Sequence, residues 1–520
     1  MSSARILRIT FTITLLFLQP GMAGAEDQRL GNLSFPNSGA SEAQSAFLRG
    51  VGSLHSFEFD QARIAFEEAQ EIDPGFALAY WGQAMSDNHP LWYQQDMEAA
   101  TAALNRLAPD PQGRLSKAPT EKEKAWLTGV ETLYFSSDDK LRRDFAYSEH
   151  MRRMHERWPD DHEISIFYAL SSLGTIRRGD QGYRRQALAA SISQQVYAEN
   201  ENHPGAAHFI IHSFDDPDHA ILALPAAKVY AGIAPAAAHA LHMPSHIFLQ
   251  LGMWQDVVNS NIVSYAAAVA TNDKHGLPEG RADFHSLSWL AYANLMLGQF
   301  DRAEENLARA LAAVERNPDS KEVLGGYLLM RGRHMIETGD WEDVALEAAD
   351  SVAGSNAHWV SVVGMSAANR GDMETAAAAI ERLESLQAKA ASDNKTYDAR
   401  MIAILGKEVM AVTSFHKGDA EGAIALAEEA AAMEMRDMNA PSGPPLPMKP
   451  AVELYGDILL AAQRPVEARV AYERSMAWIP QRTPSLLGLS NAANAAGDEE
   501  VADEVLTRVR AMPGASPAIK

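Results

Sequence analysis

The residues of this chain best suited to chemistry are its histidines, which are concentrated in one stretch. Of 17 histidines in 520 residues, nine fall between positions 203 and 285. His208 and His212 are four residues apart, as are His242 and His246, and the second pair follows the first by 34 residues. Side chains four positions apart on a helix lie on one face, with Cβ atoms about 5–6 Å apart. The spacing therefore predicts four imidazoles that can converge.

Converging imidazoles are typical of a transition-metal site. The chain has no cysteine, which excludes disulfides, thiolate metal sites, iron–sulfur clusters and a cysteine nucleophile. All-imidazole sites suit copper, zinc, nickel or iron, and copper(II) leads the affinity series. We therefore expect a transition metal, with copper favoured and zinc or iron as alternatives. The two pairs are similar in spacing to the ligands of type-3 dicopper proteins, an analogy of spacing and not of fold.

Composition and motifs exclude several other classes of function. Lys+Arg minus Asp+Glu is 45 − 68 = −23 and no basic patch is evident, so we expect no nucleic-acid partner. The sequence contains no G-x-G-x-x-G fingerprint, P-loop, His-Glu-x-x-His motif or nucleophile elbow. No other catalytic chemistry competes with the histidines.

The N-terminus has the layout of a secretory signal peptide. Arg5 and Arg8 precede a largely apolar run at 9–18, and Ala-Gly-Ala at 23–25 forms a cleavage site. The apolar run is shorter than the roughly 20 residues needed to span a bilayer. We therefore predict a signal peptide at 1–25, no membrane insertion after its cleavage, and a periplasmic or secreted protein. Residues 26–44 are polar and Gly/Ser-rich, which predicts a flexible arm.

Apolar residues of the remaining chain recur at i, i+3, i+4 and i+7 with no sustained alternation, which predicts helices. One block has the residues expected at places 8, 17, 20, 24, 27 and 32 of a tetratricopeptide repeat (TPR): Gly50, Phe59, Ala62, Phe66, Ala69 and Pro74. Similar copies occur at 298–310, 332–344, 364–380 and 456–480. The chain thus resembles an exported bacterial TPR protein with a histidine-rich centre. The resemblance implies an all-α, TPR-type α-solenoid of stacked antiparallel helix pairs.

The repeat copies divide the chain into segments. We expect a TPR-like array at 45–430, with its histidine-rich centre at 203–285, and further TPR-like repeats at 451–512. A long loop is predicted at 108–120. The proline-rich stretch at 439–450 cannot be helical, and it is either a rigid linker or a flap across the groove.

In the TPR family, places 2, 5, 9, 12 and 13 of the first helix line the concave groove. The repeat frame puts both histidine pairs at places 5 and 9, and adjacent helices lie about 8–10 Å apart. The predicted metal ligands, with the four paired histidines first, are His208, His212, His242, His246, His89, His239 and His285. Carboxylates expected to accept hydrogen bonds from their imidazoles are Asp215, Asp216 and Asp283. Pro244 interrupts the second pair, which either leaves His242 outside the site or fixes it as a ligand at a helix start.

These residues support three functions. The first is an exported TPR-like protein that binds a transition metal in a histidine-lined groove, with a copper-dependent oxidoreductase as its enzymatic version. The second is a non-catalytic scaffold whose groove holds a peptide or a partner protein. The third is a metal carrier without turnover.

Overall fold

The computed structural model describes residues 29–180, 182–352, 356–517 and 519. The predicted signal peptide at 1–25 lies outside these residues. The described residues form 25 α-helices, three short 3₁₀ turns and one hairpin of two-residue strands. None of these helices is both long and apolar enough to cross a membrane.

The helices fall into three stretches of the chain. The first comprises α1 (Gln44–His55), α2 (Phe59–Ile72), α3 (Ala77–Ser86), α4 (Met97–Leu107), α5 (Pro111–Ser116), α6 (Glu121–Phe135), α7 (Lys140–Arg157), α8 (His162–Leu173) and α9 (Arg184–Glu199). The central stretch comprises α10 (Pro204–Ser213), α11 (Ala220–Ile233), α12 (Ala238–His242), α13 (Pro244–Gln250), α14 (Trp254–His275), α15 (Ala282–Met296), α16 (Phe300–Arg316) and α17 (Lys321–Thr338). The last comprises α18 (Asn356–Arg370), α19 (Met373–Ser392), α20 (Thr396–His416), α21 (Ala420–Asp437), α22 (Ala451–Ala461), α23 (Pro465–Trp478), α24 (Thr483–Ala495) and α25 (Glu499–Arg510). The hairpin pairs β1 (Asn88–His89) with β2 (Gln94–Gln95), and the 3₁₀ turns are Ser41–Ala43, Pro90–Trp92 and Leu346–Ser351.

Helices that follow one another in sequence pack against one another along the chain, which confirms the predicted all-α solenoid of TPR type. Small residues at the helix crossings make this packing close. A Cβ atom on Gly82 would lie 2.3 Å from the ring of Phe66, and one on Gly50 would lie 2.7 Å from the same ring. The phenyl ring therefore fills the volume that the two glycines leave.

Two segments that the sequence predicts to lack regular structure, the loop at 108–120 and the arm at 26–44, can be compared with the structure. The loop predicted at 108–120 is wrong in its middle, because it contains α5, which Asp110 caps by accepting a hydrogen bond from the amide of Gly113 at 2.8 Å. Residues 29–40 form neither helix nor strand, but they are packed against the array. Phe35 is buried there, with its ring 5.3 Å from Phe47 and 5.2 Å from Trp126.

Contacts between distant parts of the chain fold the array back on its centre. From the N-terminal side, Tyr230 of α11 donates a hydrogen bond to Ser56, at the end of α1, at 3.4 Å. From the C-terminal side, Trp254 donates from Nε1 to the carbonyl of Gln481 at 3.1 Å. The histidine-rich helices are therefore held by both ends of the solenoid.

The close crossing at Gly82 gives a stability test. Gly82→Ala should lower the free energy of unfolding by about 1–3 kcal/mol, because the added methyl overlaps the ring of Phe66. Gly232→Ala is the matched control, since no atom lies within 4 Å of a Cβ there, and it should be neutral or stabilising by up to ~1 kcal/mol. Denaturant unfolding compares the two; equal stability of both variants would contradict the packing described.

Candidate metal centre

Six of the seven predicted histidine ligands lie together as two adjacent sets of three. Triad A consists of His208, His212 and His239. Triad B consists of His242, His246 and His285. Within each triad, one nitrogen of each ring lies within 4.8 Å of one nitrogen of each other ring. The triads adjoin, with ring centroids 5.9 Å apart for His212 and His246 and 6.0 Å apart for His239 and His242.

Each triad is built from a histidine pair and one histidine of a later helix, with one helix between them. Helix α10 carries the pair of triad A, and α12 supplies His239. The second pair straddles the break between α12 and α13, where Pro244 begins a new helix, and α15 supplies His285. His242 ends α12, and its ring centroid lies 5.1 Å from that of His246. The proline break thus leaves His242 inside the triad.

Oxygen acceptors fix the proton position of three of these imidazoles. His208 donates from Nδ1 to the backbone carbonyl of His55 at 2.6 Å. His246 donates from Nδ1 to the carboxylate of Asp215 at 2.6 Å. Carbonyl and carboxylate oxygens only accept hydrogen bonds, and a neutral imidazole has one proton. The Nε2 atoms of both rings are therefore lone-pair donors.

The third fixed imidazole is His242. It donates from Nδ1 to the side-chain oxygen of Asn261 at 2.7 Å. The amide nitrogen of Asn261 donates to Ser245 and to the carbonyl of Val257, both at 2.8 Å, which assigns its oxygen as the acceptor. His242 therefore also presents a lone pair at Nε2.

These lone pairs converge on one another. In triad B, Nε2 of His242 lies 3.2 Å from Nε2 of His246 and 3.0 Å from Nε2 of His285. In triad A, all three Nε2 atoms are buried without a hydrogen-bond partner among the described residues. The lone pairs of His242 and His246 face each other and repel, and buried polar atoms without partners, as in triad A, are costly. A cation bound between the rings removes both penalties.

Desolvation favours the neutral, metal-binding form of five of these six imidazoles. Desolvation lowers the pKa of His208 to about 3 and that of His285 to about 4. Desolvation, with repulsion from neighbouring imidazoles, lowers the pKa values of His212, His239 and His242 well below the ordinary range. Protons therefore compete weakly for these ligand atoms at neutral pH.

The structure places three predicted site residues outside the triads. His89 stacks on Phe59, with ring centroids 3.9 Å apart. Asp216 accepts a hydrogen bond from Nδ1 of His219 at 2.8 Å, and His219 belongs to neither triad. Asp283 accepts from the backbone amides that precede α15. Of the three predicted carboxylates, the structure thus brings Asp215 alone against a triad imidazole.

Sequence reasoning did not identify three residues that surround the triads. The carbonyl of His55 and the side chain of Asn261 each orient one imidazole. Trp289 packs on triad B, with ring centroids 4.5 Å from His246 and 4.8 Å from His242. Trp289 and Asn261 follow no motif, and the carbonyl belongs to a residue 153 positions before His208. No local signal in the sequence marks any of them.

A third cluster of potential ligands is a hydrogen-bonded group. His55 lies 2.7 Å from one oxygen of Glu163 through Nε2, and His203 lies 3.4 Å from the other. His203 accepts the amide of Ala206 at Nδ1, so its proton is on Nε2. Burial alone would raise the pKa of Glu163, but the two imidazoles outweigh it and lower that pKa to about 2. The carboxylate accepts a hydrogen bond from His55, whereas its second oxygen and Nε2 of His203 are buried without a hydrogen-bond partner among the described residues.

The triads open onto a cleft of ≈ 740 Å³, to which each contributes one wall residue, His239 and His285. Phe57 lines this cleft, and its ring centroid lies 4.4 Å from that of His208.

The proline-rich segment 439–450 lies at triad B. The carbonyl of Pro441 accepts a hydrogen bond from Gln250 at 2.7 Å, and a Cβ on Gly443 would lie 2.6 Å from Trp289. A second prolyl residue of the segment is held by Arg333, which donates to the carbonyl of Pro445.

No family model matches the chain, and no curated protein matches it. A tetratricopeptide repeat protein from Parabacteroides merdae is similar over 53% of this chain and 93% of its own, with 12% identity and a TM-score of 0.30. Human IFIT1, solved as a dimer with m7Gppp-AAAA, is similar over 92% of this chain and 91% of its own, with 12% identity and a TM-score of 0.37. Yeast Tom70 is similar over 91% of each chain, with 12% identity and a TM-score of 0.29. At this identity the likeness concerns the fold alone.

The lowered pKa values predict how stability depends on pH. The pKa of His208, a fully buried imidazole, is about 3 in the folded chain and returns to 6.5 on unfolding, so the unfolded chain binds more protons between these values. The free energy of unfolding of the metal-free protein should therefore fall as the pH drops from about 7.5 to 5. His208→Gln should make this slope shallower in urea unfolding with EDTA. His416→Gln, an exposed histidine outside both triads, should leave it unchanged; equal slopes for wild type and H208Q would contradict the assignment.

Proposed function

We propose that this protein is an exported metalloprotein that binds two copper ions, one in each triad, and uses them for redox chemistry on a ligand in the cleft. One observation carries the proposal: oxygen acceptors hold the Nδ1 protons of His208, His242 and His246, so their Nε2 lone pairs point inward. The ligand set suits copper, zinc, nickel or iron, as all-imidazole sites do. Export is proposed from the signal-peptide pattern at 1–25.

Charge favours copper among these metals. An imidazole bound through its lone pair is a neutral ligand, and Asp215 is the one carboxylate that hydrogen-bonds a triad ring in the described residues. Two ions in adjoining triads repel each other, and two singly charged ions do so with a quarter of the energy of two doubly charged ions at the same separation. Copper has a singly charged state and zinc has none. The two triads are therefore better suited to a pair of copper(I) ions than to a pair of zinc ions.

The surrounding residues have separate tasks in this proposal. Asp215, Asn261 and the carbonyl of His55 orient the imidazoles and raise their basicity. Trp289 covers triad B and Phe57 covers triad A, which limits water at the metal-binding face. Bound copper supplies electron transfer and oxygen chemistry, while the cleft gives a ligand access through His239 and His285.

A protein-interaction scaffold is the second candidate, and the fold itself favours it. TPR-like arrays hold peptides or partner proteins in their grooves. A second groove, lined in part by Trp341, Phe415 and Lys449, lies away from both triads and is suited to such a partner.

A metal carrier without turnover is the third candidate. Oxygen consumption by the copper-loaded protein would distinguish an enzyme from such a carrier.

Metal content tests the proposal directly. The purified protein should bind two copper ions per chain by elemental analysis after copper loading and removal of excess metal. Replacement of His208 and His246 by Ala should remove one ligand from each triad and abolish stoichiometric binding. A double variant at His334 and His416, which belong to neither triad, is the control. Metal content that is the same in both double variants, or stoichiometric zinc in place of copper, would overturn the copper proposal.

The hydrogen bond from His246 to Asp215 gives a finer test, for which the neighbouring Asp216 is the control. Asp215→Ala should weaken copper affinity by about 10–100-fold, because His246 loses the acceptor that fixes its proton on Nδ1. Asp216→Ala removes the adjacent carboxylate, which bonds to His219, and should leave the affinity close to that of wild type. Competition with a copper(I) chelator measures both. Equal loss in the two variants would mean that the orientation by Asp215 is not what matters.

A further inference from the structure

An insertion in the repeat array forms one wall of the cleft. Between α3 and α4, residues 87–96 fold into a hairpin in which the amide of Asp96 donates to the carbonyl of Asp87 at 2.9 Å. The side chains that this hairpin turns to the cleft are Asp87, His89, Trp92, Gln94, Gln95 and Asp96. A connection between TPR helices needs only a few residues. The additional length therefore supplies cleft-lining groups that the array does not need.

Aromatic rings line the inner part of the same cleft. Phe57 and Phe59 stack with centroids 5.5 Å apart, and Trp92 meets Phe57 edge-on at 5.4 Å. The Trp92 ring is also 6.2 Å from His239, so this aromatic group reaches triad A. Trp92 is 44% exposed, which leaves its face available to a ligand.

The backbone at Phe57 is strained. Its φ is +53°, at a turn position where one repeat has Gly298 (+64°) and another has Gln463 (+61°). A bulky residue in this region is unfavourable by about 1–3 kcal/mol, and such outliers cluster at functional sites. The phenyl ring is retained there in contact with His208, despite the strain.

The cleft is acidic, and one of its carboxylates has no protein partner. Four carboxylates and two guanidinium groups line it: Glu58, Asp60, Asp87, Asp96, Arg63 and Arg281. Asp60 pairs with both arginines, and Glu58 and Asp96 accept backbone amides. Within the described residues, no side chain or amide donates to the carboxylate of Asp87. Desolvation, with repulsion from Asp96, raises the pKa of Asp87 to about 7, so a cation beside this carboxylate stabilises its ionised form and is bound best above that pH.

We propose that the cleft binds a small aromatic amine, with its ring against Phe57 and Trp92 and its ammonium group at Asp87. The aromatic faces stack on the ring, and Trp92 adds a cation–π attraction for the ammonium group. The volume of ≈ 740 Å³ accommodates such a molecule with room for water. That the bound ring faces the metal ions rests on the proposed function; the binding itself does not.

Calorimetric titration of the metal-free protein tests this with three ligands of one shape. Each ligand is a phenyl ring with a two-carbon chain. The chain ends in an ammonium group in phenethylamine, a hydroxyl in 2-phenylethanol and a carboxylate in 3-phenylpropionate. Phenethylamine should bind roughly tenfold more tightly than the alcohol, as expected for a charge-assisted hydrogen bond, and the carboxylate should bind most weakly. Equal affinity for the amine and the alcohol, or no binding of the amine, would overturn the proposal.

Variants locate the binding. Asp87→Asn should remove the preference for the amine over the alcohol, whereas Trp92→Ala should weaken both. Matched controls are Asp319→Asn, an exposed carboxylate elsewhere, and Trp341→Ala in the second groove, which should bind like wild type. A preference that persists in D87N, or that D319N removes equally, would overturn the assignment of the ammonium site.

The same titration separates this inference from the proposed function. Copper content and amine affinity are measured separately on the wild-type protein. Amine binding in a protein that takes up no copper would reject the metal proposal alone. Copper binding in a protein that shows no affinity for the amine would reject this inference alone.

Discussion

The geometry of the histidine-rich centre depends on which ring nitrogen of each imidazole carries the proton. A neutral imidazole carries one proton, so an oxygen that accepts at Nδ1 leaves a lone pair at Nε2. His208, His242 and His246 are each fixed in this way, and their Nε2 atoms point into the interior of the array. The contrast with His203 is informative, because that ring accepts a backbone amide at Nδ1 and turns an N–H group to Glu163. Histidines thus present inward-facing lone pairs in one place, and an N–H group that faces a carboxylate a short distance away.

The solenoid supplies the acceptors because it folds back on itself. The carbonyl of His55 lies at the end of α1, Asp215 follows α10, and Asn261 lies within α14. Helix α15, which carries His285, is fixed from the far end of the chain: Arg482 donates to the hydroxyl of Tyr292 at 3.0 Å. That guanidinium group is itself buried between the carboxylates of two other helices, so the contact is held rigidly. The ends of the array therefore stabilise the geometry of its centre.

The residues of the two proposed sites lie where the repeat pattern is broken. Pro244 divides a helix at the second histidine pair, and the insertion at 87–96 adds a wall to the cleft. Phe57 has a positive φ at a turn, and the proline-rich segment at 439–450 contacts Trp289 through Gly443. A regular repeat needs none of these departures for its stability. Local violations of folding rules are expected at sites that serve function.

The sequence by itself determined the helical period, the TPR register and the two histidine pairs, because these are properties of residues close together in the chain. It also predicted His239 and His285 as further candidates, and each lies beside a histidine pair in the structure. It could not determine that His89 stacks on Phe59 outside the triads, or that Asn261 and the carbonyl of His55 fix imidazole protons. Those contacts join residues up to 153 positions apart, and their distances depend on how successive helix pairs rotate and close. Spacing fixes which face of a helix a side chain occupies; only the packed superhelix decides which side chains meet.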